Sequence, residues 1–408
     1  MAQPKKKLMQ NVKPKSYTSL SKEDVGESKN CFNKFSSHYW KQLKVLIGRV
    51  CEQTYDKYLL LEERDKILCK ARIKSSDVET GTCEDMCSEK ERYVRIIQKR
   101  VSPYECNDLG EMIPEIAIKE YSRSAADQEE PLPHELRPTH VLHSVPSRDE
   151  NLAEWYDFLW NRTRAIRKVS CTFYFLILIE QCVRFHIFAS HRLCHLGPNE
   201  FDQKMNTENL SKSLQSLRYL YDDLAKRGLL CENEAEIRAY DVMLNLEDSN
   251  ILRQILTYRR EIRESLQMRL ALRLFSCFKN GNYIRFFKLL KRNATYLQVY
   301  NFLFFTFVKN FYKSIENPFL PNRIFQYPIT KLVDILGFDS INDATEFIMN
   351  YNMRVDTITE PDDICILLSK SKFYLSTPPV PKMSLWIEEK RLDTPIAQVI
   401  FLKIIFIL

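Results

Sequence analysis

The residue types in this chain best able to do chemistry are thiols and imidazoles, and two groups of them have to be weighed as metal sites. Cys83 and Cys87 stand in the run Gly81-Thr82-Cys83-Glu84-Asp85-Met86-Cys87-Ser88-Glu89-Lys90-Glu91-Arg92. Their CxxxC spacing is not the CxxC of a zinc knuckle, and with Cys106 the set is still one ligand short of a closed tetrahedral site. The second group is Cys182, His186, His191, Cys194 and His195, in which Cys182 and His186 share one helix face. The helix that carries them is largely apolar, so the expectation is a hydrogen-bonded core histidine and not a ligand. There is no GxSxG, HExxH, P-loop or dinucleotide fingerprint. Acidic pairs such as Asp222-Asp223 fall on expected solvated faces. The chain is therefore expected to be no enzyme, with no catalytic residues, no metal or other cofactor, and no small-molecule substrate.

The elements that must position these residues can be read from periodicity and breakers. Ser88 with Glu91 has the spacing of a capping box, which starts a helix through Tyr93, Val94, Ile96 and Ile97 that ends before Pro103. The two thiols are then expected as buried packing around that helix. Upstream, residues 39 to about 74 carry a 3.6-residue apolar stripe and predict a helix. Residues 102–148 hold six prolines; Pro114 can start a helix carrying Ile116, Ile118 and Tyr121, while 131–146 must be extended.

From 149 to about 313 the pattern predicts six or seven amphipathic helices, centred on 150–168, 170–195, 205–227, 232–246, 249–258, 260–279 and 282–313. Antiparallel helices with short loops pack as a bundle or a stacked helical-repeat array. The run Asn161 to Lys168 is dense in cations (Arg162, Arg164, Arg167, Lys168); some are expected to fork onto helix C-termini or carboxylates such as Glu180, and a nucleic-acid patch is the alternative. Beyond residue 317 the order changes to strand, helix, helix and hairpin: 325–327, a stripe of Ile329, Leu332, Val333 and Leu336, a helix capped by Ser340, then 355–358, 365–368 and 373–375. That is the order of a winged helix. Lys331, Arg354, Lys370 and Lys372 are its candidate nucleic-acid-binding residues, but its second helix carries Asp343 and Glu346, which would oppose phosphate in a major groove. Docking of protein is the stronger expectation.

Composition supports a helical body. Only 8 glycines occur in 408 residues, too few for turn-rich barrels or nucleotide-binding sheets, and 45% apolar content can fill a large core. The 12 cysteines lack a repeated spacing and point to reduced thiols. No stretch reaches the ~20 apolar residues of a membrane span. The net charge of +7 permits an acidic partner without demanding one. The expected organisation is a disordered basic tail at 1–38, a helical domain at 39–316, a winged-helix module at 317–385 and a tail at 386–408. The class is all-α: a stacked, PCI/TPR-like helical array with that C-terminal winged helix.

Six blocks in order resemble the SAC3/GANP family. They are the Gly81–Arg92 run, Lys119 to Ala126, Leu132 to Pro138, Asn161 to Arg167, Arg184-Phe185-His186, and Gly281 to Phe287. Ser88 replaces the family's proline and Asn161 its aspartate. The resemblance makes Gly81, Cys83, Asp85, Met86, Cys87, Glu89, Arg123, Arg137, Arg162, Arg164, Arg167, Arg184, His186, Phe286 and Phe287 structural signature residues. It implies a scaffold that binds a PCI-domain protein and a small acidic subunit, joining transcription-and-export complex 2 (TREX-2) at the nuclear pore for mRNA export. It leaves open a role in centrosome duplication and spindle progression, and nucleic-acid binding through the winged helix.

Overall fold

Amphipathic periodicity becomes helix through most of the described residues. The computed structural model describes residues 37–71, 81–122, 132–136, 152–166, 173–300, 325–350, 354–357, 364–368, 382–392 and 394–400. They belong to two compact units, 1–146 and 147–408. That boundary falls inside the span expected as one helical domain, at the end of the proline-rich connection.

In the first unit the stripe after residue 39 forms two helices, α1 (Ser37–Leu46) and α2 (Thr54–Ala71), not one. Gly48 breaks it with φ +86°, a left-handed backbone that side-chain-bearing residues avoid. α3 (Glu89–Ile97) starts at the expected N-cap, Ser88. The capping box itself is not made: the Ser88 side chain accepts no cap hydrogen bond. Glu91 instead accepts from the backbone N–H of Glu120 at 2.7 Å. Ile96 and Ile97 are exposed, whereas Arg95 is completely buried.

No helix follows Pro114. Its successors make a single turn, closed by Ala117 N–H to the Ile113 carbonyl at 3.1 Å, and then run extended. The reason is tertiary. The amides of Ile118, Lys119 and Glu120 donate to Glu105, Met86 and Glu91, so none is left for an intrahelical ladder.

The second unit holds α4 (Leu152–Ile166), α5 (Phe173–Arg192), α6 (Gln203–Lys226), α7 (Glu234–Leu244), α8 (Ile251–Thr257), α9 (Arg260–Glu264), α10 (Leu266–Lys279), α11 (Tyr283–Asn293) and α12 (Tyr296–Tyr300). The helix expected over 260–279 is divided at Ser265, whose hydroxyl accepts from Met268 N–H at 3.2 Å and so caps α10. The one expected over 282–313 breaks after Asn293; residues 301–313 lie outside those described. α5 is the central element, with Leu176, Ile179, Val183, Phe185, Ile187 and Phe188 all buried. It packs on α4, α6 and α12. None of the helices among the described residues is long and apolar enough to cross a membrane.

The chain then forms β1 (Phe325–Pro328), α13 (Ile329–Leu336), α14 (Ile341–Asn350), β2 (Arg354–Thr357) and β3 (Ile364–Leu368). The sheet is antiparallel with order β1-β3-β2, and Ile366 at its centre faces Tyr327 on one side and Val355 on the other. The helix-dominated fold thus includes one small sheet. Ile329, Leu332, Leu336, Ala344, Phe347 and Ile348 make its helix-side core. The expected strand at 373–375 lies outside the described residues. Two further helices, α15 (Leu385–Glu389) and α16 (Ile396–Ile400), occupy the region expected as a tail. They bury Ile387, Val399 and Ile400, with α16 against α5 and α15 against α12.

Candidate scaffold sites

The first unit is organised around one buried ion pair that the sequence reading missed. Arg95 and Glu105 are both fully buried and bonded to each other. Arg95 also donates to the Ile118 carbonyl at 3.1 Å, and Glu105 accepts from Ile118 N–H at 2.8 Å. The pair therefore ties α3 to the segment after Pro103 and to the irregular segment at 117–120. Burial alone would lower the arginine's affinity for its proton; the hydrogen bond and charge of Glu105 more than offset that and keep it ionised.

Around this pair the signature residues act as fasteners. Arg92 donates to Asp85 at 2.7 Å and to the Cys87 carbonyl at 2.6 Å, locking the turn to the helix. Tyr93 donates to Glu89 at 2.8 Å. Met86 accepts from Lys119 N–H at 3.0 Å through its carbonyl. Thr82 and Cys83 donate backbone N–H to Pro133 and Leu136 at 2.8 and 3.0 Å, which pairs the partly exposed segment at Gly81 with residues 132–136.

The two thiols part company. Cys87 is fully buried and burial pushes its pKa up to about 12, which makes it an inert packing residue. Cys83 is only partly buried and donates to the Asp85 carbonyl at 3.4 Å, so it corrects the expectation of two buried thiols. On α2, Asp65 is met by His134 at 2.9 Å and Lys90 at 2.8 Å. Burial would raise the Asp65 carboxyl, but His134, Arg64 and Lys90 together hold it well below the usual carboxylate range.

In the second unit His186 is a core residue. It is 1% exposed and its Nδ1 lies 2.8 Å from Asn206 Oδ1. Asn206, also unforeseen, returns two bonds, to the His186 carbonyl at 2.9 Å and Ser190 Oγ at 2.8 Å, and it accepts from Tyr156 at 3.3 Å. One buried amide thereby joins α4, α5 and α6. Among the described residues, no three His, Cys, Asp or Glu side chains gather as a metal site requires.

Arg184 donates to both oxygens of Glu236 at 3.1 and 2.9 Å, a fork that fixes α5 to α7. Glu180 accepts from Tyr221 at 2.7 Å and Asn233 at 2.6 Å. Burial raises its carboxyl pKa, with those two bonds working against the shift. Arg162 and Arg164 lie over the rings of Phe158 and Trp160, at 4.8 and 4.6 Å. Phe286 and Phe287 are buried edge to face, 5.7 Å apart. Arg123, Arg137 and Arg167 lie outside the described residues.

Of the candidate phosphate contacts, Lys331 is exposed on α13 and Arg354 opens β2. Lys370 and Lys372 lie outside the described residues. The acidic side of α14 is answered by Lys382, which reaches Asp343 at 3.0 Å and Glu346 at 2.6 Å. Lys382 opens a strap, residues 382–392, that joins the small sheet domain to the helical body. Asp339 accepts from Leu385 N–H at 2.8 Å, and Trp386 Nε1 donates to the Gly337 carbonyl at 2.9 Å. On the body side, Ser384 N–H donates to His191 Nε2 at 3.3 Å, Tyr296 donates to Glu388 at 3.2 Å, and Lys390 caps the Lys291 and Ala294 carbonyls at 2.7 and 3.0 Å.

These arrangements define a helix-dominated protein whose polar signature residues tie its elements together. A sequence profile of the SAC3/GANP family matches residues 86–357. Protein xmas of Drosophila melanogaster is 34% identical over 345 residues, covering 78% of this chain and 17% of that protein. SAC3 family protein 1 of Schizosaccharomyces pombe is 30% identical over 341 residues, 73% of this chain and 32% of its own length. SAC3 family protein B of Arabidopsis thaliana is 32% identical over 243 residues, 53% of this chain and 14% of its own. The chain belongs to the SAC3/GANP family. It spans less than a third of the length of each of these three relatives.

Proposed function

We propose that this chain is a non-enzymatic scaffold that binds a PCI-domain protein, together with a small acidic subunit, and supports mRNA export in a TREX-2-like assembly at the nuclear pore. The observation that carries the reading is the C-terminal order β1-α13-α14-β2-β3 with β3 central, set on stacked helices in a SAC3/GANP chain. That order and pairing support a winged helix within 317–385, and the stack before it supports a PCI-like array within 39–316. α14 favours a protein partner over DNA. Its carboxylates are balanced by Lys382, and Met349 stands 57% exposed beside them. A neutralised helix face with an exposed thioether suits a docking surface better than a phosphate groove.

The test is co-purification of the tagged chain from cells. A PCI-domain protein is expected in near-equal amount, and a chain lacking 325–368 is expected to lose it. Recovery of the full chain without any PCI-domain protein would sink the proposal.

A further inference from the structure

We infer that the solvent face of α11, with the adjoining face of α10, binds the phosphate backbone of a nucleic-acid strand. The site shares no residue with the four cations Lys331, Arg354, Lys370 and Lys372 considered above, and the inference does not rest on the export reading.

The first observation is an absence of negative charge. Between Glu264 and Glu316 the sequence contains no Asp or Glu, while residues 265–300 hold Arg269, Arg273, Lys279, Arg285, Lys288, Lys291 and Arg292. Such a run departs from an otherwise mixed chain with 60 basic and 53 acidic residues. Ordinary solvated helices intersperse both signs, as α6 does with its Lys212–Glu208 and Lys226–Asp223 pairs.

The second is geometric. α11 buries Tyr283, Phe286, Phe287 and Leu290, which leaves Arg285, Lys288 and Arg292 exposed at three- and four-residue spacing on the opposite side. At about 1.5 Å rise per residue they form a row roughly 10 Å long. Arg269 and Arg273 are exposed one turn apart on α10, which packs against α11. Among the described residues none of these five cations pairs with a carboxylate. Lys279 and Lys291 are engaged differently, donating to the carbonyls of Glu247 and Asp334 at 2.7 and 2.8 Å.

Charge of one sign at helical spacing is held against self-repulsion, and a polyanion relieves that by releasing its own counterions. The other occupants fit less well. A membrane surface would require the apolar face of α11 to insert, and that face is already in the core. The centre of a protein interface is depleted in charge and rich in aromatics. Here the exposed row offers one large apolar side chain, Ile284.

The experiment is fluorescence anisotropy of the full chain with a labelled 20-nucleotide oligouridine across a salt series. A triple variant, Arg285→Glu, Lys288→Glu, Arg292→Glu, is compared with a charge-matched control on α6, Lys204→Glu, Lys212→Glu, Lys226→Glu. Three lost phosphate contacts should flatten the log–log salt slope by about 2 and weaken binding on the order of a hundredfold at 0.1 M salt. The control should stay within a few-fold of the wild type, and circular dichroism should report both variants as folded. An oligodeoxythymidine is expected to behave like the RNA, since phosphate alone is read. The inference is overturned if the wild type fails to bind the RNA at low salt, if triple and control variants weaken equally, or if polyglutamate binds the wild type as tightly as RNA does.

Discussion

At the scale of single residues, the fold rests on polar groups placed where apolar ones are the default. Arg95 is the strongest case, because it and Glu105 are both removed from water. Breaking such a pair by deleting one partner leaves the other charge buried, at a cost of about 3–5 kcal/mol. Arg95→Ala is therefore expected to destabilise the first unit by that amount, measured by urea dependence of amide exchange in α3. An Arg95→Met, Glu105→Leu double change should recover most of the loss, because it removes the uncompensated charge as well. Asn206 is the counterpart in the second unit. Asn206→Ala withdraws an amide that four groups use, so a loss of about 2–3 kcal/mol is expected in thermal or chemical unfolding of the α4–α6 region. The sequence disclosed His186 as a core histidine but not its partner. Asn206 lies 20 residues away, and nothing in its immediate neighbours distinguishes it from a solvated asparagine.

At the scale of elements, the strap at 382–392 illustrates how a segment without its own core becomes ordered. Its one short helix buries a single apolar side chain, Ile387, so its order comes from bonds to other elements. Gly337 is where one of these is closest. A Cβ there would meet Trp386 Nε1 at 3.1 Å and Lys291 Cε at 3.2 Å, and the φ of +77° disfavours any side chain. Gly337→Ala should therefore cost about 1–2 kcal/mol and raise amide exchange in α15 before it affects α5.

The strap is also sensitive to acid. Burial, aided by the charge of Arg192, pushes the His191 pKa down to about 4. An unfolded histidine takes up its proton near 6.5. Between those values the unfolded chain binds more protons, so stability present above pH 6.5 falls as pH drops towards about 4, by at most ~1.4 kcal/mol per pH unit. Protonated Nε2 can no longer accept from Ser384 N–H. Exchange of the 384–392 amides should rise over this window in the wild type. In His191→Gln, which does not titrate, that pH dependence should vanish; if it persists, another group is responsible.

At the scale of the whole molecule, the export role proposed above predicts a location. Tagged protein followed through the cell cycle should then mark the nuclear rim in interphase. Paired perinuclear foci with no rim signal would transfer the reading to centrosome and spindle. The two outcomes separate cleanly because the same helical core and small sheet domain would serve either role.

What the sequence determined by itself was the set of local units. Periodicity placed α4–α8 to within a few residues, and the ordered motif blocks carried family membership, because both depend on nearest neighbours along the chain. It also located the strands at 325–328, 354–357 and 364–368 to within a residue, and Ser88 as an N-cap position. What only the tertiary structure decided was where unsatisfied polar groups went. The residues after Pro114 fail to make a helix because their amides meet Glu105, Met86 and Glu91. Glu91 leaves its capping role for the same contact, and on α3 Arg95 is buried while Ile96 and Ile97 are exposed. Each is a long-range hydrogen bond in a low-dielectric interior. Its strength exceeds any local propensity, and its partner cannot be identified until the chain is folded.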